Sequence, residues 1–312
     1  MKTLKKAIFV FGLLVIATLL INASQSSAKE DLVVNPSITD NLAKDKPTKD
    51  YAIYALDLPE KLTFAGETVP MEDAEVYERI DREFLVNTYW QSNGLLLIKR
   101  AHKYFPIIEP ILKENNIPED FKYLAVIESG LQNVTSPAGA KGFWQIMRAT
   151  GRELHLEVNS NIDERYHLEK ATRAACNYLQ KAKDKFGSWT LAAAAYNAGN
   201  GRISKELDKQ MVSSYYDLLL KEETARYVPR IVAIKYILSN PKKYGFNFED
   251  KHLYNQIPTK SITIDTTINN LASFAKEQGM NYKELKKLNP WLLQNTLNNS
   301  SNRTYQLKLL VK

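Results

Sequence analysis

Apolar positions recur at helical spacing along most of the chain. Between Ala74 and Asn115, the residues Val76, Ile80, Phe84, Leu95, Ile98, Tyr104, Ile107, Ile108 and Ile111 mark scaffold helices, with breaks predicted at Gly94 and around Pro106. Leu168, Ala171, Ala175, Tyr178, Leu179, Ala182 and Phe186 form one stripe, so a helix is expected from Leu168 to Phe186, ended by Gly187. Ser188 suits the cap of a helix through Leu191 to Ala195, whose small side chains admit a close neighbour. The Gly199, Gly201 pair is expected to end it, leaving Tyr196 and Asn197 at its last turn. Pro229 opens a further apolar helix, Ile231 to Leu238. Beyond residue 250 the period changes. Ile262 and Ile264 alternate with polar residues, Ile268, Leu271 and Phe274 suggest a helix ended by Gly279, and Tyr282, Leu285 and Leu288 suggest another. Tyr305, Leu307 and Leu309 then alternate again, which gives strand, helix, helix, strand. Residues 29 to about 74 carry no sustained period and read as an extended or partly ordered lead-in.

One stretch breaks the pattern with a charge. Phe121, Leu124, Ala125 and Glu128 share a helical face, so an acid sits on its own helix's apolar stripe. Pro118, Glu119 and Asp120 mark the start of that helix and Gly130 its end, which puts Glu128 in the last turn, facing the negative end of the helix. Desolvation and that dipole both disfavour the charged carboxylate, the condition for a glutamate that acts as a general acid near neutral pH. A buried, hydrogen-bonded structural acid fits the same spacing. The following loop, Ser129 to Gly142, is rich in small residues and ends in Phe143, Trp144 and Gln145; there an aromatic face and an amide would suit acetamido sugars. Glu223 is expected near a helix N-terminus, where a negative charge is favoured. No second acid lies near Glu128 in sequence, since the next is Glu153. Glycosidases with two carboxylates need such a partner about 5 to 9.5 Å away, whereas a substrate acetamido group can replace it.

The chain of 312 residues begins with Lys2, Lys5 and Lys6, an uncharged run from Ala7 to Ile21, and small residues to Ala28. This is the pattern of a secretory signal, with cleavage expected near Ala28, and the run is shorter than the roughly 20 residues of a comfortable membrane span. Cleavage removes three lysines and no acid, so the formal charge falls from +7 to +4. That balance is modest; an exported chain rarely meets nucleic acid, so an anionic wall polymer, or a membrane surface met peripherally, fits it better, and an unspecific solvated surface fits better still. Cys176 stands alone among Ala174, Ala175 and Leu179 and reads as a small core residue, and His102 has no second ligand at helical spacing, so no metal is expected.

Four blocks occur in order: Glu128-Ser129, then Gly139 to Gln145, then Ala195 to Gly199, then Glu223-Thr224 with Tyr227-Val228. Together they resemble the lytic transglycosylase (SLT) domain of family 1, over roughly Val76 to Tyr244. The resemblance implies a mainly α fold, a lysozyme-like helical domain followed by a small α+β module. It also implies cleavage of the bond between MurNAc and GlcNAc in peptidoglycan with formation of a 1,6-anhydro-muramyl end, and no cofactor. Carried over by position, Glu128 is the catalytic acid and then base, and Ser136, Gln145, Tyr196, Asn197 and Glu223 line the groove. Arg148 stands where the family often has proline, and His167-Leu168 replaces an Asp-Pro helix start, a lost cap worth about 1 kcal/mol. The tail resembles a LysM module without its usual opening Gly-Asp, and a LysM module implies binding to GlcNAc-containing glycan. The expected organisation is a signal peptide (1–28), a lead-in (29–74), a transglycosylase domain (75–250) and a LysM-like module (251–312). The expected product is an exported monomer of the periplasm or cell envelope whose partner is the peptidoglycan glycan strand. A goose-type lysozyme hydrolase and an inactive peptidoglycan-binding scaffold are the competing readings.

Overall fold

The computed structural model of the protein describes residues 53–300 and 302–311, so the expected signal segment lies outside the described residues. Residues 54–312 form one compact unit. Its helices, in chain order, are α1 (Ala74–Tyr89), α2 (Gln91–Glu114), α3 (Lys122–Ser129), α4 (Arg148–Glu153), α5 (Leu168–Phe186), α6 (Trp189–Ala198), α7 (Asn200–Gln210), α8 (Glu222–Ala225), α9 (Tyr227–Ser239), α10 (Leu271–Glu277) and α11 (Tyr282–Leu288). Two antiparallel pairs accompany them: β1 (Thr63–Phe64) with β2 (Glu67–Thr68), and β3 (Thr259–Ile264) with β4 (Tyr305–Leu310) in the register Thr259 to Leu310 through Ile264 to Tyr305. The architecture is mainly helical, with the strand, helix, helix, strand order expected for the tail. Among the described residues, no helix is long and apolar enough to cross a membrane.

The central helices follow the sequence pattern closely. α5 spans the expected residues, with Gly187 left-handed at φ 72° beyond its end. Ser188 caps α6 through the Leu191 amide at 3.3 Å, and Ala192 to Ala195 are fully buried, so α5 and α9 come close to its small face. Cys176 is buried in the same core, and burial pushes its thiol up to about 12.

Other expectations fail for identifiable reasons. The break between the first two helices falls at Trp90, and α2 runs unbroken through Gly94, Pro106 and Pro110. Gly94 is a packing site: a Cβ there would lie 2.4 Å from the ring of Phe246. Both prolines face solvent, where water can bond the carbonyl each leaves free. Gly201 does not end α6 but lies inside α7. Of the expected lead-in, residues 29–52 lie outside the described residues, and the part ahead of α1 holds the β1–β2 hairpin, with Leu62, Phe64 and Val69 in the main core. The Glu67 carboxylate accepts from the Thr190 amide at 2.9 Å, and also from Trp189, Ser188 and the Thr190 hydroxyl. Burial works to raise its pKa, but these bonds at the N-terminus of α6 prevail and hold it below the ordinary range.

Candidate active site

Glu128 ends up where its spacing puts it. A 3-10 turn over Glu119–Phe121 leads into α3, and Gly130, left-handed at φ 60°, donates its N–H to the Val126 carbonyl at 2.8 Å. The end of α3 is tied down twice: Ser129 Oγ donates to the Phe143 carbonyl at 2.8 Å, and Arg100 Nη1 donates to the Gly130 carbonyl at 3.1 Å. Phe121, Leu124 and Ala125 are fully buried, while Glu128, on the same stripe, reaches a cavity of about 510 Å³ lined also by Trp90, Arg100, Gln132, Arg226 and Arg230.

The electrostatics favour a neutral acid. Burial raises the Glu128 carboxyl from 4.5 to about 7; the hydrogen bond from the Tyr227 hydroxyl to Oε1 works against this, the nearby charge of Glu223 adds to it, and Arg230 opposes it. Arg230 is not free to neutralise Glu128 fully. Glu83, 1% exposed, sits 3.5 Å from Arg230 Nε and accepts from Arg226 Nε at 2.6 Å and from Arg82 at 2.7 Å. A second, deeply buried carboxylate therefore holds the guanidinium groups of Arg226 and Arg230. The Tyr196 and Tyr227 hydroxyls are themselves pushed well above the usual phenol range, first by burial and then by the proximity of Glu128.

Of the groove residues expected from the sequence, three come together in a second cavity. Gln145, Tyr196 and Asn197 line a cavity of about 220 Å³ together with Met147, Tyr178 and Gly199. Tyr196 donates to the Trp144 carbonyl at 2.7 Å, which pins the end of α6 to the loop after α3. Asn197 Oδ1 accepts from Thr224 Oγ1 at 2.8 Å, tying α6 to the start of α8, where Glu223 is exposed in the first turn. Gln145, itself left-handed at φ 46°, donates its amide to the Gly142 and Val134 carbonyls at 2.8 and 3.2 Å.

Ser136 and Glu223 line neither cavity; the Ser136 hydroxyl accepts from the Ala140 amide at 3.0 Å and closes a surface turn. The aromatic face expected beside Gln145 is also absent. Trp144 is fully buried, with Nε1 donating to Thr172 Oγ1 at 2.9 Å, and Phe143 packs edge-on against Tyr104 in the core. Small residues around these rings let them close into the interior, so they stack on protein rather than on sugar.

Tyr227 stands in the last of the four sequence blocks, but the sequence alone assigns it no role. The available signal was its spacing: it stands one turn after Glu223 and one turn before Arg230, so all three fall on one side of the α8–α9 segment. Its hydrogen bond favours the charged form of Glu128. Tyr227→Phe should therefore raise the Glu128 pKa further and move the alkaline limb of the activity profile upward by about one pH unit. Rates measured from pH 5 to 9 check this.

Residues 105–218 match the family described as Transglycosylase SLT domain, and residues 260–310 match the Soluble lytic transglycosylase C-terminal LysM-like domain. Over those residues the chain is similar to both domains. Among curated proteins it is homologous to the Membrane-bound lytic murein transglycosylase D of Escherichia coli K12, 37% identical over 152 residues, which are 47% of this chain and 34% of the relative. A Putative tributyltin chloride resistance protein of Alteromonas sp. strain M-1 is 29% identical over 126 residues, 40% of this chain and 58% of that one. The chain therefore spans about a third of the length of the Escherichia coli relative. Two solved structures align with about half of the chain and 26% of their own, each at a TM-score of 0.38. They are an inactive mutant of lytic transglycosylase Slt from Pseudomonas aeruginosa, 20% identical, and the 70-kDa soluble lytic transglycosylase with bulgecin A, 23% identical.

Proposed function

We propose that the protein is a peptidoglycan lytic transglycosylase that works with a single acid/base carboxyl. Glu128, protonated up to about pH 7, donates its proton to the glycosidic oxygen as the bond from the MurNAc C1 breaks. The resulting carboxylate then takes the proton from the O6 hydroxyl of the same MurNAc while O6 bonds to C1. The product is a 1,6-anhydro ring, and Glu128 is restored without consuming water. The charge of Glu223, exposed in the first turn of α8, is felt at Glu128. Glu128 is thus the neutral donor, and the charge of Glu223 suits the positive charge that develops at C1. Tyr196, Asn197 and Gln145 form the wall against which the sugars would lie.

The observation that carries this reading is the raised pKa of a cavity-facing carboxyl held by a tyrosine hydroxyl. The matched SLT and LysM-like domains support peptidoglycan as the substrate, with the glycan strand as partner, and the similarity to a membrane-bound murein transglycosylase supports a place in the cell envelope. Mass spectrometry of products from digested sacculi tests the proposal. Anhydro-muramyl ends, one water lighter than hydrolysis products, are expected. Reducing ends alone would identify a lysozyme-type hydrolase instead, and intact sacculi a glycan-binding scaffold.

A further inference from the structure

A module that merely tethers an enzyme to its polymer hangs on a linker with few contacts across the boundary. The C-terminal LysM-like domain is placed differently. Its hydrophobic cluster is completed by a residue of the SLT domain, Ile162, which is 1% exposed and pairs with Leu292 as an isolated β-bridge. The Asp163 amide donates to the Trp291 carbonyl at 2.9 Å, and the Leu293 amide donates to the Asn161 carbonyl at 2.8 Å. The Asn161 side chain, buried, donates to the Thr296 carbonyl and accepts from the Asn298 amide, both at 2.9 Å. Glu157 accepts from Arg303 and from the Tyr305 hydroxyl, each at 3.0 Å, and Lys308 pairs with Glu169.

The segment gripped in this way continues into the wall of the cleft. Asp163 holds Arg165 through two parallel bonds, 2.8 Å from Nε and 2.7 Å from Nη2, both residues nearly fully buried. Arg165 Nη1 then donates to the Gly139 carbonyl at 3.1 Å and the Ile146 carbonyl at 3.2 Å, the two ends of the loop that carries Gln145. Lys141, inside that loop, lies 3.3 Å from Asp163. A continuous path of hydrogen bonds and intervening backbone runs from the C-terminal domain through Asn161, Asp163 and Arg165 to the Gln145 wall, while Glu128 stands on α3, outside that path.

We infer that the C-terminal domain is a brace for the substrate-binding loop, and that Asn161, Asp163 and Arg165 are positioning residues acting through that loop on Gln145. The inference rests on the proposed glycan-cleaving reading. It is tested in the full chain with Asn161→Ala, using intact sacculi and a soluble tetrasaccharide of two GlcNAc–MurNAc repeats, too short to occupy the cleft and a separate module together. The brace predicts a five- to tenfold rise in KM on both substrates with kcat within twofold. It also predicts an alkaline limb unmoved near pH 7 and faster amide exchange over residues 139–146, with α3 unchanged. A KM change confined to sacculi, or a lower melting temperature with unaltered loop exchange and unaltered tetrasaccharide kinetics, would overturn it. Should Asn161→Ala not fold, Arg303→Gln at the exposed edge of the same contact carries the test, with a two- to threefold rise in KM expected and an unchanged KM contradicting it. If the wild type cleaves neither substrate, the proposed function fails; if it cleaves both and the variant matches it, only the brace fails.

Discussion

Glu128→Gln lowers kcat by about 10³-fold, within the range expected for losing a general acid, and makes the fold more stable above neutral pH. The two effects share one cause. The native carboxyl holds its proton to about pH 7, whereas in the unfolded chain it ionises at its ordinary 4.5. Below pH 4.5 both states carry the proton and the group costs nothing. As the pH climbs from 4.5 to 7 the unfolded state loses its proton first, so stability falls. Above 7 the loss levels off at roughly 3–4 kcal/mol, about 1.4 kcal/mol for each pH unit of displacement. Gln cannot ionise and escapes this loss. Melting curves should nearly coincide at pH 4 and separate by about 5–10 °C at pH 8, with the variant higher. A variant that is inactive but no more stable at pH 8 would show that burial is not what keeps this carboxyl neutral.

Gly142→Ala should be the most damaging single methyl in the cleft wall. Its backbone is left-handed at φ 80°, and a Cβ would meet the Arg165 carbonyl oxygen at 2.0 Å. Neither partner can yield easily, because the Gly142 amide is bonded to the Val134 carbonyl at 3.0 Å and Arg165 is locked to Asp163. A left-handed alanine costs about 1–2 kcal/mol and the overpacking about 1–3 more, so a loss of roughly 2–5 kcal/mol is expected, visible in chemical denaturation. Gly139→Ala is the control. It has the same sign of φ, at 86°, but open space around it, so only the backbone cost of about 1–2 kcal/mol applies. Equal destabilisation by the two would mean that the close approach of Arg165 to the loop carries no weight.

Period and punctuation made the helices of this protein legible. α5, α6 and the four elements of the C-terminal domain follow from stripes and alternation, because each buries one face against neighbours that the pattern already implies. What stayed hidden was tertiary. Gly94 and the prolines of α2 look like breaks, yet a ring packed onto one and solvent around the others let the helix continue. Trp144 reads as a sugar platform only until Thr172, 28 residues away, is seen to take its N–H. Glu128 could be picked out because an acid on an apolar stripe conflicts with its surroundings, and that conflict is local. Its partners Tyr227, Arg230 and Glu83 come from segments about 45 to 100 residues distant, and no spacing rule joins them to α3. The embrace of Asn161 by residues 293 to 298 was likewise beyond the reach of any window along the chain.

The account depends on a carboxyl that stays protonated where ordinary glutamates are charged. A carbon-13 NMR titration of the Glu128 side-chain carboxyl, assigned by the signal lost in Glu128→Gln, measures this directly. A midpoint near pH 7, moving upward in Tyr227→Phe, is the predicted result; a midpoint near 4.5 would contradict the account.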